Sequence, residues 1–280
     1  MTSVGFVGLG RMGYYMAGNI SKTYKTFVWN RTNEKALRHS EEFNTSSISL
    51  ISDIPKKCKV ILFCLPTHKE VKEVINEMND SLNDSHILID CTSSDYKVQK
   101  EIFDSLKEKN IYFFDAPVSG GPEKAMTGKL TSMVGGDKDK YLEIEDVLKS
   151  FSNPIYVGNI GNGCAIKSIN NILNVSHLCL AAEALQSLSE LGIDKKVALD
   201  VINKSSGRSL MTEERIPVDV FQKDYNFGFS LGLMNKDVKL AMNILENPIM
   251  FSQINNLLDK SIDKYGKDAD YTEVCKLYWE

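Results

Sequence analysis

The sequence predicts an α/β domain followed by an all-α domain, the two joined by one long helix. Three observations lead there. Short, nearly continuous apolar runs alternate with helical patterns through the first half. No Pro or Gly interrupts residues 164–191, and the remainder of the chain keeps helical spacing. Strands that are apolar along their whole length belong to a parallel sheet covered on both faces. At 280 residues the chain has room for two cores. The expected division is 1–160 and 161–280.

The elements run in order along the chain. Residues 4–8 are an apolar run ending in glycines, and 12–21 read as a helix. A strand at 26–29 precedes a polar helix at 33–39. The run VILFCL at 60–65 is a buried strand, followed by helical spacing over 68–78. Strands at 87–91, 111–115, 130–134 and 155–157 come next, with a helix at 96–106 after the first. The glycine-rich stretch Gly158-Asn159-Ile160-Gly161-Asn162-Gly163 then leads into the long helix, 164–191. That helix is apolar on more than one side (Ile166, Ile169, Leu173, Leu178, Leu180, Leu185), so several faces are expected to be buried, one of them in a homodimer or homotetramer. Gly192 ends it in the left-handed C′ role. Further helices are expected at 196–203, 213–220, 233–246 and 248–265.

Bulk composition narrows the function. With 42% hydrophobic residues, 25% charged and a net charge of −4, the chain is ordinary in composition and lacks the cationic excess that nucleic acid or an anionic membrane selects. Six cysteines (Cys58, Cys64, Cys91, Cys164, Cys179, Cys275) form no CxxC pair. Cys64 and Cys91 in strands and Cys179 in a helix read as small buried apolar residues. Reduced thiols and a cytoplasmic compartment are the expectation. Met1 is followed within a few residues by a core strand, so no secretory leader is expected, and no apolar stretch exceeds strand length. His39, His68 and His86 lie in polar segments, and His177 reads as a core or interface residue. None has metal-ligand spacing, and no metal is expected.

The first chemical motif is Gly8-Leu9-Gly10-Arg11-Met12-Gly13, a G-x-G-x-x-G between a strand and a helix. In that setting the glycines let the backbone turn tightly and approach a pyrophosphate, and the helix N-terminus offers free N–H groups. The first domain is therefore expected to be a Rossmann-type dinucleotide-binding domain. NAD sites usually end the second strand with an Asp or Glu that holds the ribose hydroxyls. Here the residues are Asn30, Arg31 and Thr32. Arg31 can offer a bidentate contact to a 2′-phosphate, so NADP is expected over NAD. The strand ends at Leu65-Pro66-Thr67 and Cys91-Thr92-Ser93 line the same crevice, which adds Leu65, Pro66 and Ser93 to the cofactor site.

Four blocks then carry a resemblance that spans nearly the whole chain: Gly5–Gly13; Asp115-Ala116-Pro117-Val118-Ser119-Gly120-Gly121 continuing to Gly135-Gly136; Gly161-Asn162-Gly163 through Lys167 to Asn170-Asn171; and Lys236-Asp237 followed by Leu240-Ala241. In these the chain resembles the β-hydroxyacid dehydrogenases, which include 3-hydroxyisobutyrate dehydrogenase and glyoxylate/succinic semialdehyde reductase. The sequence departs from that family at Asp90-Cys91-Thr92-Ser93, where Ser93 stands in place of a usual Thr.

The resemblance implies hydride exchange between a nicotinamide and a small carboxylate-bearing hydroxyacid or its semialdehyde. It makes Lys167 the general acid/base, with burial near a helix N-terminus expected to tune it. Asn171, one turn on, shares its face; Asn170 points about 100° away. Ser119, Gly120 and Gly121 are expected to hold the substrate carboxylate on backbone N–H groups and a hydroxyl. Lys236 is expected to reach the substrate or the cofactor. An NADPH-dependent semialdehyde reductase is the favoured expectation, and NAD-dependent 3-hydroxyisobutyrate dehydrogenase the alternative. 6-Phosphogluconate dehydrogenases are longer at the C-terminus, imine reductases usually lack the lysine, and a silent cofactor-binding scaffold would not need Lys167, Asn171 and Ser119 together.

Overall fold

The structure is a computed structural model and describes residues 3–279. The chain separates into two compact units, residues 1–167 and 168–280.

The first unit alternates strands and helices: β1 (Val4–Val7), α1 (Gly13–Ser21), β2 (Thr26–Trp29), α2 (Asn33–Phe43), β3 (Ser46–Ser47), β4 (Val60–Phe63), α3 (His68–Met78), β5 (Ile87–Asp90), α4 (Tyr96–Lys107), β6 (Tyr112–Asp115), β7 (Val118–Ser119), α5 (Gly121–Met126), β8 (Leu130–Gly135), α6 (Lys138–Lys149) and β9 (Ser152–Gly158). The sheet runs β3-β2-β1-β4-β5-β6-β8-β7, with β9 also paired to β8. Strands β1 to β6 pair in parallel. The strand order reverses at β1, which lies between β2 and β4. In doubly wound sheets the carboxyl ends at such a switch point form the ligand crevice.

Side chains alternate across this sheet. Val60 and Leu62 of β4 enter one apolar layer with Phe6, Ile89 and Phe114. Ile61 and Phe63 enter the other with Val7, Leu88 and Phe113. Burying a side chain of this size contributes on the order of 2 kcal/mol relative to leaving it in water. That double burial is why the strands read as continuous apolar runs.

Three features depart from the sequence expectation. The sheet is mixed, because β8 runs antiparallel to β6 and β7. The short elements β3, β7 and α5, and the amphipathic α6, were not expected. Strand β9 is longer than the expected 155–157, because it pairs along β8 from Leu130↔Ser152 to Gly135↔Gly158.

The second unit is helical. The long helix α7 (Asn162–Glu190) enters it from the first unit and begins two residues earlier than expected. Gly192 follows with φ +82°. Next come α8 (Lys195–Asn203), α9 (Leu231–Met242), α10 (Ile249–Tyr265), a 3₁₀ turn at Tyr271–Cys275 and α11 (Lys276–Trp279). Where an α-helix was expected at 213–220 the chain winds as a π-helix over Met211–Val220. Pro217 lies inside it and cannot donate an N–H, and its ring crowds the carbonyl four residues back. The wider winding accommodates it, as in the Phe221 N–H donation to Ile216 O at 2.9 Å. The core of this unit gathers Ile172, Leu178, Leu185, Leu231, Val238 and Leu258.

Two histidines read as polar-segment residues are buried. His39 is 0% exposed, between Thr45 Oγ1 and Tyr14 O at 2.8 Å each. His86 lies within 3.0 Å of Pro55 O. His177, expected in a core or interface, is exposed in the single chain. Cys64 is half-buried rather than buried, and all six cysteines are free thiols. Among the described residues, no helix is long and apolar enough to cross a membrane, and no cluster of His, Cys, Asp or Glu could hold a metal.

Candidate active site

The switch point is built by the glycine turn after β1. Gly8 has φ +101°, and a Cβ there would lie 2.4 Å from Cys64 O on the neighbouring strand exit. A Cβ on Gly13 would lie 2.1 Å from Gly8 O, so this glycine lets α1 close onto the turn. A Cβ on Gly10 would meet nothing within 4 Å. Its backbone faces open space, where a ligand can approach. Helix α1 has no side-chain cap and no acidic residue in its first turn. By contrast α3, α4, α6 and α8 are closed by Thr67, Asp95, Asp137 and Asp194. An uncapped N-terminus under an open glycine backbone fits a pyrophosphate. Leu9 is buried, Arg11 is exposed, and Met12 packs partly against the core.

At the end of β2, Asn30 braces the turn. Its Oδ1 accepts from Leu9 N–H at 3.0 Å, and its Nδ2 donates to Thr32 O at 3.0 Å. Arg31 and Thr32 are exposed there, and Thr32 caps α2 with no side-chain bond. No carboxylate occupies 30–32; the nearest in sequence is Glu34, in the first turn of α2. The exit of β4 is tied to that of β5: Leu65 N–H donates to the buried Thr92 hydroxyl at 3.1 Å. Pro66 stands just outside α3, where Thr67 and Glu70 form a reciprocal capping box. The Thr67 hydroxyl bond holds the Glu70 carboxyl below the usual carboxylate range. Ser93 is half-buried beside Thr92.

Ser119 ends β7, and Gly120 (φ +138°) and Gly121 (φ +73°) turn into α5 in backbone conformations that favour glycine. Asn19 on α1 donates to Ala125 O at 2.8 Å, which ties this turn's helix to the cofactor helix.

Nothing in the sequence around Asp115 signals its role. It ends β6 fully buried. Its Oδ1 accepts from Gly161 N–H at 2.7 Å and its Oδ2 from Cys164 N–H at 2.8 Å, the turn and first residues of α7. Burial pushes its carboxyl up to about 7; the two N–H bonds pull it down and Asp90 pushes it up again. Lys167 follows one turn later on α7, with 9% of its surface exposed.

In the second unit Asn171 is buried, and its Nδ2 donates to Asp237 Oδ2 at 2.6 Å. Asn170 donates to Asn171 Oδ1 at 3.4 Å. Lys236, partly exposed on α9, forms an ion pair with Asp237 Oδ1 at 3.4 Å. Asn171, Lys236 and Asp237 thus form one connected cluster. In the sequence Asp237 stands out only as part of a motif; its position beside Lys236 is the signal that could have found it.

Known proteins match this chain in sequence and in fold. The family model for the NAD binding domain of 6-phosphogluconate dehydrogenase matches residues 3–161. The model described as NAD-binding of NADP-dependent 3-hydroxyisobutyrate dehydrogenase matches residues 161–278. Human mitochondrial 3-hydroxyisobutyrate dehydrogenase is 33% identical over 100% of this chain and 87% of its own. The fold is shared with Mycobacterium tuberculosis 3-hydroxyisobutyrate dehydrogenase, solved with L-serine (TM-score 0.91, 24% identity, 99% of each chain). It is shared also with Psf3 in complex with NADP+ and 2-OPP (TM-score 0.87, 24% identity, 98% of this chain and 99% of that one). The chain therefore belongs to the β-hydroxyacid dehydrogenase family, whose members are NAD(P)-dependent oxidoreductases acting on CH–OH groups.

Proposed function

We propose that this protein interconverts a small β-hydroxyacid and its semialdehyde with NADP(H), working foremost as a semialdehyde reductase. The observation that carries the reading is Lys167. Lysine is rarely buried, yet this one is 9% exposed and sits four residues before the buried Asn171 on the same helix. The nicotinamide supplies the hydride in reduction and takes it in oxidation. Lys167 Nζ gives a proton to the carbonyl oxygen in reduction and, as the neutral amine, takes the hydroxyl proton in oxidation. Asn171, its amide fixed by Asp237, orients the substrate oxygen or the lysine. Ser119 and the N–H groups of Gly120 and Gly121 bind the carboxylate, and Lys236 complements its charge.

The cofactor preference rests on Arg31 and on the use of Asn30. The Asn30 amide braces Leu9 and Thr32, and positions 30–32 hold no carboxylate to repel a 2′-phosphate. A second reading is NAD-dependent oxidation of 3-hydroxyisobutyrate, the substrate in the name of the human relative. One experiment separates them: NADPH and NADH oxidation by wild type and Lys167→Ala against glyoxylate, succinic semialdehyde and methylmalonate semialdehyde. We expect NADPH turnover with one of these and a loss of about 10²–10⁴-fold in the variant. A clear NADH preference would favour the second reading. An active Lys167→Ala would remove the general acid/base assignment.

A further inference from the structure

The seat of Asp115 is unusual for a buried carboxylate. Both oxygens are spent on the backbone of one short segment, through Gly161 N–H and Cys164 N–H. Three glycines make the room. A Cβ on Gly135 would lie 2.4 Å from Asp115 Oδ1, and one on Gly163 would lie 2.9 Å from Oδ2 and 2.1 Å from Met133 O. A Cβ on Gly161 (φ +88°) would lie 2.7 Å from Tyr96 O. A side chain at Gly135 or Gly163 would meet the carboxylate itself, and one at Gly161 would push the turn before α7 away from Tyr96. The bond pair has a direction as well as a strength. Oδ1 fixes the turn before α7 and Oδ2 fixes its first turn, so both the position of the helix start and its rotation about its axis are set from the end of β6. Lys167 lies three residues beyond Cys164, so the same bonds set where its side chain points.

We propose that Asp115 is a positioning residue for the reaction: its carboxylate clamps the start of α7 and thereby holds Lys167 in its working orientation. This rests on the role given to Lys167 above. The ionised group accepts both N–H bonds. The protonated group keeps one good acceptor and gains a donor that faces an N–H, so the clamp loosens. The titratable groups facing it are Asp90, at the end of β5, and the Cys164 thiol on α7. Asp90 is held by Thr92 N–H at 2.9 Å and Gln99 Nε2 at 2.7 Å. The Cys164 thiol is pushed well above its usual range by burial and by Asp115. Lys167 is the charged side chain one turn along the same helix. Burial and Asp90 bring the Asp115 transition close to neutrality, at about 7.

The linkage sign separates positioning from plain structural support. The folded-state carboxyl titrates above its unfolded value, so the native chain holds the proton longer. Wild type therefore loses stability as pH rises from about 4 to about 7, while Asp115→Asn does not. A positioning carboxylate thus costs stability in the pH range where it serves activity. Relative to wild type, Asp115→Asn should gain melting temperature between pH 5 and 8. Its kcat should nevertheless fall about 10-fold or more at pH 8, with a smaller change in KM and without the acid limb near pH 7.

The deciding measurement is amide hydrogen exchange over residues 159–167, corrected for intrinsic rates, which needs no turnover. In wild type, the Gly161 and Cys164 amides should be protected at pH 8 and lose roughly 10-fold of that protection at pH 6. In Asp115→Asn protection should be low at both. Wild-type protection that is independent of pH, or retained in the variant, overturns the clamp. Should Asp115→Asn fail to fold, the wild-type pH series alone decides. Protection that behaves as expected in a protein inactive on every semialdehyde would leave the clamp and remove the catalytic reading it serves.

Discussion

At the residue scale, the cofactor end of the site turns on which polar atoms are already committed. Asn30 already braces Leu9 through Oδ1 and Thr32 through Nδ2, leaving one lone pair and one N–H, whereas Arg31 is exposed at the same strand end. A charged guanidinium on a phosphate contributes about 1.5–3 kcal/mol. Arg31→Ala should therefore raise the KM for NADPH by about 10–100-fold and leave that for NADH within a few-fold, as initial-rate kinetics with each cofactor will read. An equal loss with both would assign Arg31 to general charge attraction. His39 gives a second residue-scale test. A backbone carbonyl can only accept, so Nε2 carries the proton to Tyr14 O and Nδ1 accepts from the Thr45 hydroxyl. Burial holds the His39 pKa below its ordinary value. The unfolded chain then takes up the proton first as pH falls through about 6.5, and stability is lost below that point. Wild type should lose melting temperature relative to His39→Gln between pH 7.5 and 5.5, opposite in sign to the effect of Asp115.

At the element scale, legibility in the sequence tracked the range of the forces involved. The strands at 60–63 and 87–90 were readable because burial on both faces leaves them almost no polar residue. The glycine turn was readable because each glycine answers a local backbone need. Helix α6 was missed although Asp137 caps it and Tyr141, Ile144 and Leu148 form its buried face, because it begins directly after a glycine pair that reads as loop. The antiparallel entry of β8 was missed because it is fixed by pairings between residues distant in sequence, Asp115↔Gly135 with β6 and Val118↔Ser132 and Ser119↔Thr131 with β7, and nothing local to these residues encodes their partners. Asp115 and Asp237 belong to the same class, each acting through a partner 46 to 66 residues away in sequence. The π-helix at Met211–Val220 was readable as helical, but its winding depends on how the chain relieves Pro217.

At the scale of the whole molecule, the long helix was expected to be buried on several faces, partly by a second copy of the chain. In the single chain Leu173 and Leu180 are 41% and 52% exposed. They lie seven residues, two turns, apart and so share one stripe. Apolar side chains aligned this way on a long helix are costly to leave in water. Mass photometry should return a dimer or tetramer mass for wild type and a shift toward monomer for Leu173→Glu/Leu180→Glu. A monomeric wild type would leave that stripe as ordinary surface.

The carboxylate seat at the end of β6 also bears on how this chain can vary in length. An α-helix advances about 100° per residue, so α7 acts as a dial whose zero is set at Gly161 and Cys164. One residue added or removed between Cys164 and Lys167 would turn Lys167 by more than a quarter circle while leaving the strand, the clamp and most of both cores as they are. A length change in a loop such as 205–209 should be absorbed there, because no continuous helix carries a phase through it. A change within those three steps should misplace Lys167, whose position is kept as a phase.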